Sequence, residues 1–566
     1  MVRDLDRLGE TEFDLVVVGG GVYGVCAAWR AALNGLTACV IERDDFGGAT
    51  SSNSLKVIHG GLRYLQHLDL RRMRESIRER SLLIRMAPHL VSPLPFVIPT
   101  YGHGVKGREI LGLALRVNDL VSWDRNRGLA RERNLPPGRM LSRAEMLERF
   151  PGIREDGLTG GALWYDGLSY DSGRLLLAFL ESALRAGAAA ANYIEATGFV
   201  ERDRTVTGVL ARDAQTGRDL VLRSRMVLNA AGPWVDDVLG RLSSSPETRA
   251  FHRSKAINLV TRQLFPDVAL GLQGPARFRD TDAALDKGFR LFFVVPWRSH
   301  SLIGTRHFPS DAEPDALEVS AAEIDTFLDE INAAYPPARL SATDVVGVYR
   351  GMLPRDAGTS ATEEVQLEKH PLVIDHERDH GIRGLMTVVG VKWTTGRLVA
   401  FETVDRICRK LGRADGRDGL APPLAGSPGA DVVTFVERGL AAAPRGLPRE
   451  SALHVLRCYG TASAEIFRLA AEDPSLGRPV VEGSAVIGAQ IVHAVRAEMA
   501  LHLDDVVFRR TDLGTAAGLG PADLEAGVKL MGHESGWGAD RQRREIDATL
   551  ASLSSFRSGR RRQVNP

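Results

Sequence analysis

The feature that most constrains the fold lies within the first 42 residues. Phe13–Val18 is an apolar run rich in β-branched residues, typical of a buried parallel strand. It continues into residues 19–24 (GGGVYG), which match the GxGxxG pattern, and residues 25–33 are predicted to form a helix. Residues 37–41 form a second predicted strand, followed by Glu42, 18 residues beyond the last glycine. Strand, glycines, helix, strand and acid at this spacing predict a dinucleotide-binding α/β domain.

Each element of this pattern has a physical purpose. Gly19 makes a tight turn, Gly21 lets the backbone approach a pyrophosphate, and Gly24 lets the helix pack closely on the strand. The helix N-terminus offers free N–H groups and the positive end of its dipole to phosphate groups. Glu42 can accept hydrogen bonds from ribose hydroxyls.

The rest of the chain favours FAD as the dinucleotide. A second strand-GxGxxG-helix unit and a redox CxxxxC motif are both absent from the sequence, which argues against a pyridine-nucleotide disulfide reductase. Residues 225–234 (RMVLNAAGPW) are predicted to form a strand and a small-residue turn. In FAD folds of this type such a strand returns to the first sheet, and Ala231 and Gly232 would then lie against the cofactor.

Composition and charge exclude several other classes of protein. Lys and Arg number 72 against 71 Asp and Glu, so the chain lacks the broad basic field expected of a nucleic-acid binder. The four cysteines have neither disulfide-framework nor metal-ligand spacing, and no metal site is predicted. The charged N-terminus is unlike a signal peptide, and glycines interrupt the longest uncharged apolar run, residues 15–29. We therefore expect a cytoplasmic protein, or one resting on a membrane surface.

Residues 47–65 (GGATSSNSLKVIHGGLRYL), which follow the glycine pattern, resemble the FAD-dependent glycerol-3-phosphate dehydrogenase/oxidase family of aerobic type. The similarity continues in order along nearly the whole chain, at residues 86–90 (MAPHL), 229–234 (NAAGPW), 295–297 (VPW), 303–305 (IGT), 390–395 (GVKWTT) and 508–511 (FRRT).

The resemblance implies an α/β fold: an FAD-binding Rossmann-type domain, an interleaved antiparallel-sheet substrate domain, and an all-helical C-terminal domain. The expected FAD-binding segments are residues 1–90, 155–235 and 375–415, with substrate-domain segments at 91–154 and 236–374. The sequence supports this plan independently, because residues 291–297 and 301–305 predict a hairpin and the Pro/Gly-rich residues 416–430 predict a linker. Residues 431–550 are then the helical domain and residues 551–566 a disordered basic tail.

The activity implied by the resemblance is oxidation of sn-glycerol 3-phosphate to dihydroxyacetone phosphate, by hydride transfer to flavin N5. Electrons would pass on to a quinone or another acceptor, such as oxygen. The residues expected to contact FAD are Gly19, Gly21, Gly24, Glu42, Thr50, Ser51, Ser52, Gly60, Gly61, Ala231, Gly232, Lys392 and Thr394.

Two groups of polar residues are expected at the reaction site. His59 is the predicted base, since its unperturbed pKa is near neutral and it opens a His-Gly-Gly turn that can face the flavin ring. Lys255 matches a family lysine that would stabilise developing negative charge. The residues expected to bind substrate are Arg63, Tyr64, Arg350 and Lys392.

The chain also departs from the family pattern at the substrate site. Leu353 occupies the position of a substrate-contacting family arginine, and Glu368 falls near a second one. Residues 304–307 read Gly-Thr-Arg-His where the family has Gly-Thr-Thr-Asp. Arg306, Arg350 or Arg355 could compensate. Two alternatives therefore stay open: an FAD oxidoreductase acting on another hydroxy acid, phosphorylated polyol or amine, and a non-catalytic flavin-binding protein.

Two segments could form a membrane-binding surface. Residues 109–123 are apolar-rich and amphipathic, and residues 70–85 combine apolar residues with many arginines. Packed core helices with solvated arginines are the competing interpretation. The resemblance favours peripheral attachment to the cytoplasmic face of the inner membrane. The predicted partners are a small-molecule substrate, a quinone or other acceptor, an anionic membrane surface and a second copy of the chain in a homodimer.

Overall fold

The computed structural model describes residues 1–104, 107–243, 251–277, 289–310, 312–355, 365–414, 422–515 and 519–558. The strands belong to two sheets and a small meander attached to the first of them. In chain order they are β1 (Phe13–Val18), β2 (Ala38–Ile41), β3 (Val57–Ile58), β4 (Val91–Tyr101), β5 (Arg139–Leu141), β6 (Leu158–Ser169), β7 (Ala189–Ala191), β8 (Ile194–Arg202), β9 (Thr205–Asp213), β10 (Asp219–Asn229), β11 (His252–Arg262), β12 (Ala269–Arg277), β13 (Phe289–Trp297), β14 (His300–Pro309), β15 (Val345–Arg355), β16 (Leu372–Asp375) and β17 (Leu385–Val389).

The helices surround these sheets and form the C-terminal region. In chain order they are α1 (Leu5–Glu10), α2 (Val22–Leu33), α3 (Leu70–Met86), α4 (Arg108–Val121), α5 (Arg143–Arg149), α6 (Ser172–Arg185), α7 (Val235–Leu239), α8 (Ala321–Ala334), α9 (His376–His380), α10 (Gly396–Lys410), α11 (Val432–Ala441), α12 (Arg449–Tyr459), α13 (Ser463–Glu472), α14 (Gly488–Ala497), α15 (Leu503–Asp505), α16 (Pro521–Ser535) and α17 (Ala539–Ser558).

The first sheet has the order β16-β17-β10-β1-β2-β7 and is parallel except at β16. All six residues of β1 are buried, because helices α2, α6 and α10 cover one face and the β8–β9 meander the other. The predicted strand-helix-strand unit and the returning strand, β10, are present. This half of the fold is therefore the expected Rossmann-type domain.

The second sheet has the order β15-β11-β14-β13-β12-β4-β6-β3, with β5 beside β6, and is antiparallel except where β4 meets β12. Helix α8 packs on one face. The opposite face carries a cluster of aromatic side chains that includes Phe96, Trp164 and Trp297. The predicted hairpin is β13–β14, so the antiparallel substrate domain is confirmed.

Some predicted segment boundaries differ from the structure. β3 and β6 lie in segments assigned to FAD binding, yet both belong to the second sheet. Most of β16 was assigned to the substrate domain, but it pairs with β17 in the first sheet. Sequence patterns predict that a strand exists, whereas its sheet is decided by backbone partners far away in the chain.

The C-terminal region is helical, and its last helix corrects the boundary predicted at residue 550. Helix α17 continues to Ser558, because Phe556 packs against Tyr349 of β15 with 5.2 Å between ring centroids. Residues 559–566 and residues 416–421 of the predicted linker lie outside the described residues. The described end of that linker is not free chain: Leu424 is buried and its N–H donates to Met86 O. Within the described ranges, no helix combines the length and apolarity needed to cross a membrane.

Candidate active site

The glycine turn has the geometry that its sequence predicts. Gly19 has φ +110°, and a Cβ there would lie 2.6 Å from Ala230 O. A Cβ on Gly24 would lie 1.9 Å from Gly19 O, so only glycine allows α2 to approach β1 this closely. Helix α2 begins at Val22, whose N–H donates to Ser51 Oγ at 3.0 Å. Its N-terminus therefore opens towards the loop that follows β2.

A cavity of about 650 Å³ extends from this turn along the carboxyl ends of the first sheet. Its size is within the range of cofactor sites, and its position is the one where open α/β sheets bind ligands. The predicted cofactor residues that line it are Gly19, Gly21, Glu42, Thr50, Ser51, Ala231, Gly232 and Lys392. These residues fit a dinucleotide such as FAD, since they combine a helix N-terminus, a ribose-binding acid and close backbone approach.

Glu42 is held at the end of β2 by two backbone hydrogen bonds. Its carboxylate accepts from Gly20 N at 2.7 Å and from Asp44 N at 3.0 Å. Burial raises the pKa of Glu42 to about 7, and the charge of Asp44 adds to this effect. The carboxylate is thus fixed in the cavity wall, where it can accept hydrogen bonds from hydroxyl groups.

Five further lining residues belong to the C-terminal region, and the sequence analysis missed them all. They are His502, Asp504, Arg509, Glu545 and Ala548. The region therefore closes one side of the dinucleotide cavity. Arg509 belongs to the family-like segment at residues 508–511, but that segment does not predict the closure, because it depends on how the helical region packs against the first domain.

The other predicted cofactor residues act behind the cavity wall. Gly60 N donates to Asp166 Oδ1 at 2.6 Å, and a Cβ on Gly60 would overlap Arg80. Thr394 Oγ1 accepts from His59 N at 3.1 Å. Gly61 takes φ +83° at the start of the next turn, and Ser52 lines a second cavity of about 350 Å³. These contacts position the His-Gly-Gly turn.

His59 is paired with a carboxylate that the sequence analysis did not identify. Its Nδ1 lies 3.5 Å from Oδ2 of Asp166, which is buried on β6. Burial alone would raise the pKa of Asp166, but hydrogen bonding to His59 and the charge of Arg80 lower it overall. The imidazole packs near Phe96 and Phe293, and the His59 side chain keeps 46% of its surface exposed. An ionised carboxylate at Nδ1 leaves Nε2 free to exchange a proton.

Arg63, Tyr64 and Lys392 form a cationic group next to this turn. Lys392 Nζ donates to Tyr64 Oη and lies 4.1 Å from the centre of that ring. The lysine as a whole is exposed in the cleft, yet burial of its ammonium group, then the charges of Arg72 and Arg63, lower its pKa to about 7. Among the described residues, Arg63 has no hydrogen-bond or carboxylate partner. This surplus of positive charge suits an anionic ligand.

Lys255 is paired on the face of the second sheet that carries α8. Its neighbours Ala256 and Asn258 line the large cavity, whereas Lys255 points to α8 on the other face of β11. There its Nζ lies 2.6 Å from Glu323 Oε1 and donates to Glu318 O at 2.8 Å. Lys255 therefore fastens α8 to the sheet, and its predicted role in stabilising negative charge stays a prediction.

Arg350 and the other two candidate replacements for the family arginine are also engaged elsewhere. Arg350 donates to Ser555 O at 2.9 Å and to Ser555 Oγ at 2.6 Å, which ties β15 to α17. Arg306 lies 3.1 Å from Glu330 of α8, and Arg355 Nε donates to Arg253 O. In the described part of the chain, none of these three arginines lines the larger cavity. Arg350 therefore ties β15 to α17, and its predicted contact with substrate stays a prediction.

Comparison with known proteins agrees with this geometry. Residues 14–405 match the FAD dependent oxidoreductase family, and residues 422–542 match the C-terminal domain of alpha-glycerophosphate oxidase. A glycerol-3-phosphate dehydrogenase from Synechocystis sp. is 34% identical over 520 residues, covering 90% of both chains. One from Mycobacterium leprae is 30% identical and covers 97% of this chain and 89% of its own.

A solved structure has a similar fold. The crystal structure of a glycerol-3-phosphate dehydrogenase from Bacillus halodurans complexed with FAD superimposes with a TM-score of 0.74 at 23% identity. The match covers 98% of this chain and 97% of that one. The chain has a dinucleotide cavity, it matches both family regions, and its relatives are similar over nearly their full length. It therefore belongs to the FAD-dependent glycerol-3-phosphate dehydrogenase family.

Proposed function

We propose that this protein oxidises sn-glycerol 3-phosphate to dihydroxyacetone phosphate with FAD as cofactor. The observation that carries the proposal is the adjacency of three features: the dinucleotide cavity, the His59–Asp166 pair and the cationic group formed by Arg63 and Lys392. A cofactor site, a base and an anion site are what oxidation of a phosphorylated secondary alcohol requires.

His59 is the base in this proposal. As the alcohol becomes a ketone, the C2 hydroxyl proton passes to His59 Nε2, and the C2 hydrogen leaves with its electron pair. Asp166 stabilises the imidazolium that forms, because its carboxylate faces Nδ1. Bound FAD supplies the two-electron acceptor for that hydride.

Arg63 and Lys392 bind the substrate phosphate. The guanidinium of Arg63 can donate two parallel hydrogen bonds to phosphate oxygens. Lys392 contributes a point charge, and Tyr64 holds its ammonium group in place. A nearby dianion favours the charged form of Lys392, so binding and protonation reinforce each other.

The test is anaerobic mixing of the purified yellow protein with glycerol 3-phosphate, followed by visible absorbance. Rapid loss of the oxidised-flavin absorbance at sub-millimolar substrate is expected. His59→Asn should slow that loss by about 10²–10⁴-fold, as expected when a general base is removed. A protein that dithionite reduces but glycerol 3-phosphate does not would refute the assignment.

A second candidate follows from Leu353. It pairs with Ser254 in register and so lies on the same face as Ala256, which lines the cavity. An apolar side chain there favours a donor that needs no anion contact at this point, such as another hydroxy acid or an amine. Faster bleaching by one of these than by glycerol 3-phosphate would favour the second candidate.

The membrane is the proposed location of electron delivery, with a quinone as acceptor. Five of the large apolar side chains with most exposure lie in two segments of the chain, residues 68–70 and 113–123. They are Leu68, Leu70, Leu113, Leu120 and Trp123, which are 69, 49, 55, 75 and 74% exposed. Arg74 of α3 donates to Val121 O at the end of α4, so these segments adjoin. Exposed Arg71 and Arg116 accompany them. Apolar side chains beside arginines suit an anionic lipid surface on the cytoplasmic side.

Vesicle sedimentation tests this surface. The protein should sediment with vesicles containing phosphatidylglycerol and much less with phosphatidylcholine alone. Leu120→Asp combined with Trp123→Asp should abolish sedimentation, whereas Val433→Asp, a matched change at an exposed residue of α11, should not. Equal sedimentation of both variants would refute the assigned surface.

A further inference from the structure

The side chain of His307 faces the cofactor side of the second sheet. His307 of β14 is directly opposite Ala256 of β11, and opposite residues of an antiparallel pair share a face. Ala256 lines the large cavity. The flanking Arg306 and Phe308 point the other way, towards α8. The strand thus presents His307 to the cofactor side, between two residues that pack on the opposite face of the sheet.

His307 has no partner for its ring nitrogens among the described residues. Nδ1 is fully buried and without a hydrogen bond. A buried polar atom without a hydrogen bond is unfavourable, so such an atom beside a binding site is a candidate contact for the ligand. Burial, then the charges of Arg63 and Arg306, lower the pKa of His307 to about 3. The ring is therefore neutral at physiological pH, with one N–H donor and one acceptor nitrogen.

Arg63 connects His307 to the cationic group described above. Lys392 and Ala256, the residue opposite His307, line the same cavity, and the charge of Arg63 acts on both His307 and Lys392. Arg63 and Lys392 are cations without a carboxylate partner in the described part of the chain, and His307 is a neutral donor. Leu353, on the same face, offers no hydrogen bond at all.

We propose that His307 is a positioning residue that donates a hydrogen bond to an oxygen of the phosphate held by Arg63 and Lys392. The inference rests on the proposed function, and it narrows the ligand class to organic phosphate monoesters. A neutral imidazole N–H adds a directional contact without adding a third positive charge to the site. It supplies the interaction that Leu353 cannot make.

The test uses the FAD-loaded protein, three variants of His307 and one control variant. His307→Leu removes the donor, His307→Asn and His307→Gln keep an N–H near Nδ1 or Nε2, and His252→Leu is the matched control at an exposed histidine of β11. Binding of inorganic phosphate is followed by its effect on the visible flavin spectrum. KM and kcat for glycerol 3-phosphate are measured alongside.

His307→Leu should weaken phosphate binding and raise KM about tenfold, with kcat changed less than threefold. One of the two amide variants should recover most of the loss, and His252→Leu should match the wild type. FAD content and melting temperature should stay constant throughout. Unchanged phosphate binding in His307→Leu, or equal loss in all three His307 variants, would overturn the proposal.

The two proposals fail separately. If glycerol 3-phosphate does not bleach the wild-type flavin while His307→Leu still weakens phosphate binding, the activity is wrong and the role of His307 stands. If bleaching is rapid in the wild type and the substitution of His307 leaves phosphate binding unchanged, the activity stands and the role of His307 is wrong.

Discussion

Asp45 accepts hydrogen bonds from both terminal nitrogens of Arg510, at 2.6 and 2.8 Å, and neither side chain is exposed. Asp45 follows β2 of the Rossmann-type domain, and Arg510 belongs to the C-terminal region. Arg509 also donates to Asp45 and itself lines the dinucleotide cavity. A buried ion pair thus joins the two regions next to the cofactor site.

Asp45→Asn should destabilise the protein strongly, because it leaves two buried guanidinium groups short of a carboxylate. Breaking a buried pair in this way costs about 3–5 kcal/mol. A lower urea midpoint and weaker FAD retention are expected. Glu465→Gln, which breaks an exposed pair with Arg468, should cost at most about 1 kcal/mol. Similar midpoints for the two variants would contradict this account.

Asp45 also predicts a pH dependence. Burial opposes ionisation, but the charges of Arg510 and Arg509 outweigh it and hold the pKa of Asp45 below its usual range. A lowered folded pKa gives stability that is present above the unfolded value of about 4 and is lost as the pH falls. Asp45→Asn should therefore narrow the difference in unfolding midpoint between pH 6 and pH 3 relative to wild type. If the difference in unfolding midpoint is the same in Asp45→Asn and the wild type, other carboxyl groups cause the loss of stability in acid.

Glu42 predicts a pH dependence of the opposite sign. Its pKa of about 7 exceeds the ordinary value of 4.5, so the folded protein binds the additional proton. Stability of the FAD-free protein should then fall as the pH rises from 4.5 to 7, by up to about 3 kcal/mol. Glu42→Gln should remove most of this fall, whereas Glu10→Gln, at an exposed position, should leave it unchanged. Urea midpoints at pH 5 and pH 8 give the comparison.

Lys392 should make substrate binding sensitive to pH above neutrality. With a pKa of about 7, Lys392 loses charge as the pH rises, so KM for glycerol 3-phosphate should increase between pH 7 and 9. Lys392→Arg keeps its charge throughout this range and should flatten the profile. Lys410→Arg, at a lysine that pairs with Asp375 and Glu377, is the control. Parallel profiles for wild type and Lys392→Arg would exclude Lys392 as the source.

The sequence predicts best where function depends on local spacing. The glycine turn, α2 and Glu42 follow from a few consecutive residues, and the structure has each of them where the pattern places it. Lys255 is harder to place from the sequence because neighbouring strand residues face opposite sides, so a one-residue difference in alignment moves a side chain to the other face. Asp166 lies 107 residues from His59, and only the folded sheets bring them together.

The end of the chain shows the same limit. Arginines at 557 and 560–562 suggest a solvated tail, yet the two phenylalanine contacts that order residues up to Ser558 come from β15 and from Phe508. No periodicity within the last turns identifies those partners. Tertiary packing therefore decides where the helix ends.

Phe556→Ala tests whether this last helix supports the cofactor site. Phe556 is 7% exposed, and its ring fills the space where Gly347 of β15 lacks a side chain. The substitution should cost about 3–5 kcal/mol, as expected for a large aromatic side chain removed from a packed position. Because β15 continues to Gly351 and Met352 in the cavity wall, FAD should also dissociate faster. The control is Ser554→Ala, two residues earlier on an exposed face of α17, which should alter neither the unfolding midpoint nor the rate of FAD release. If Phe556→Ala keeps FAD as tightly as this control, the last helix does not support the cofactor site.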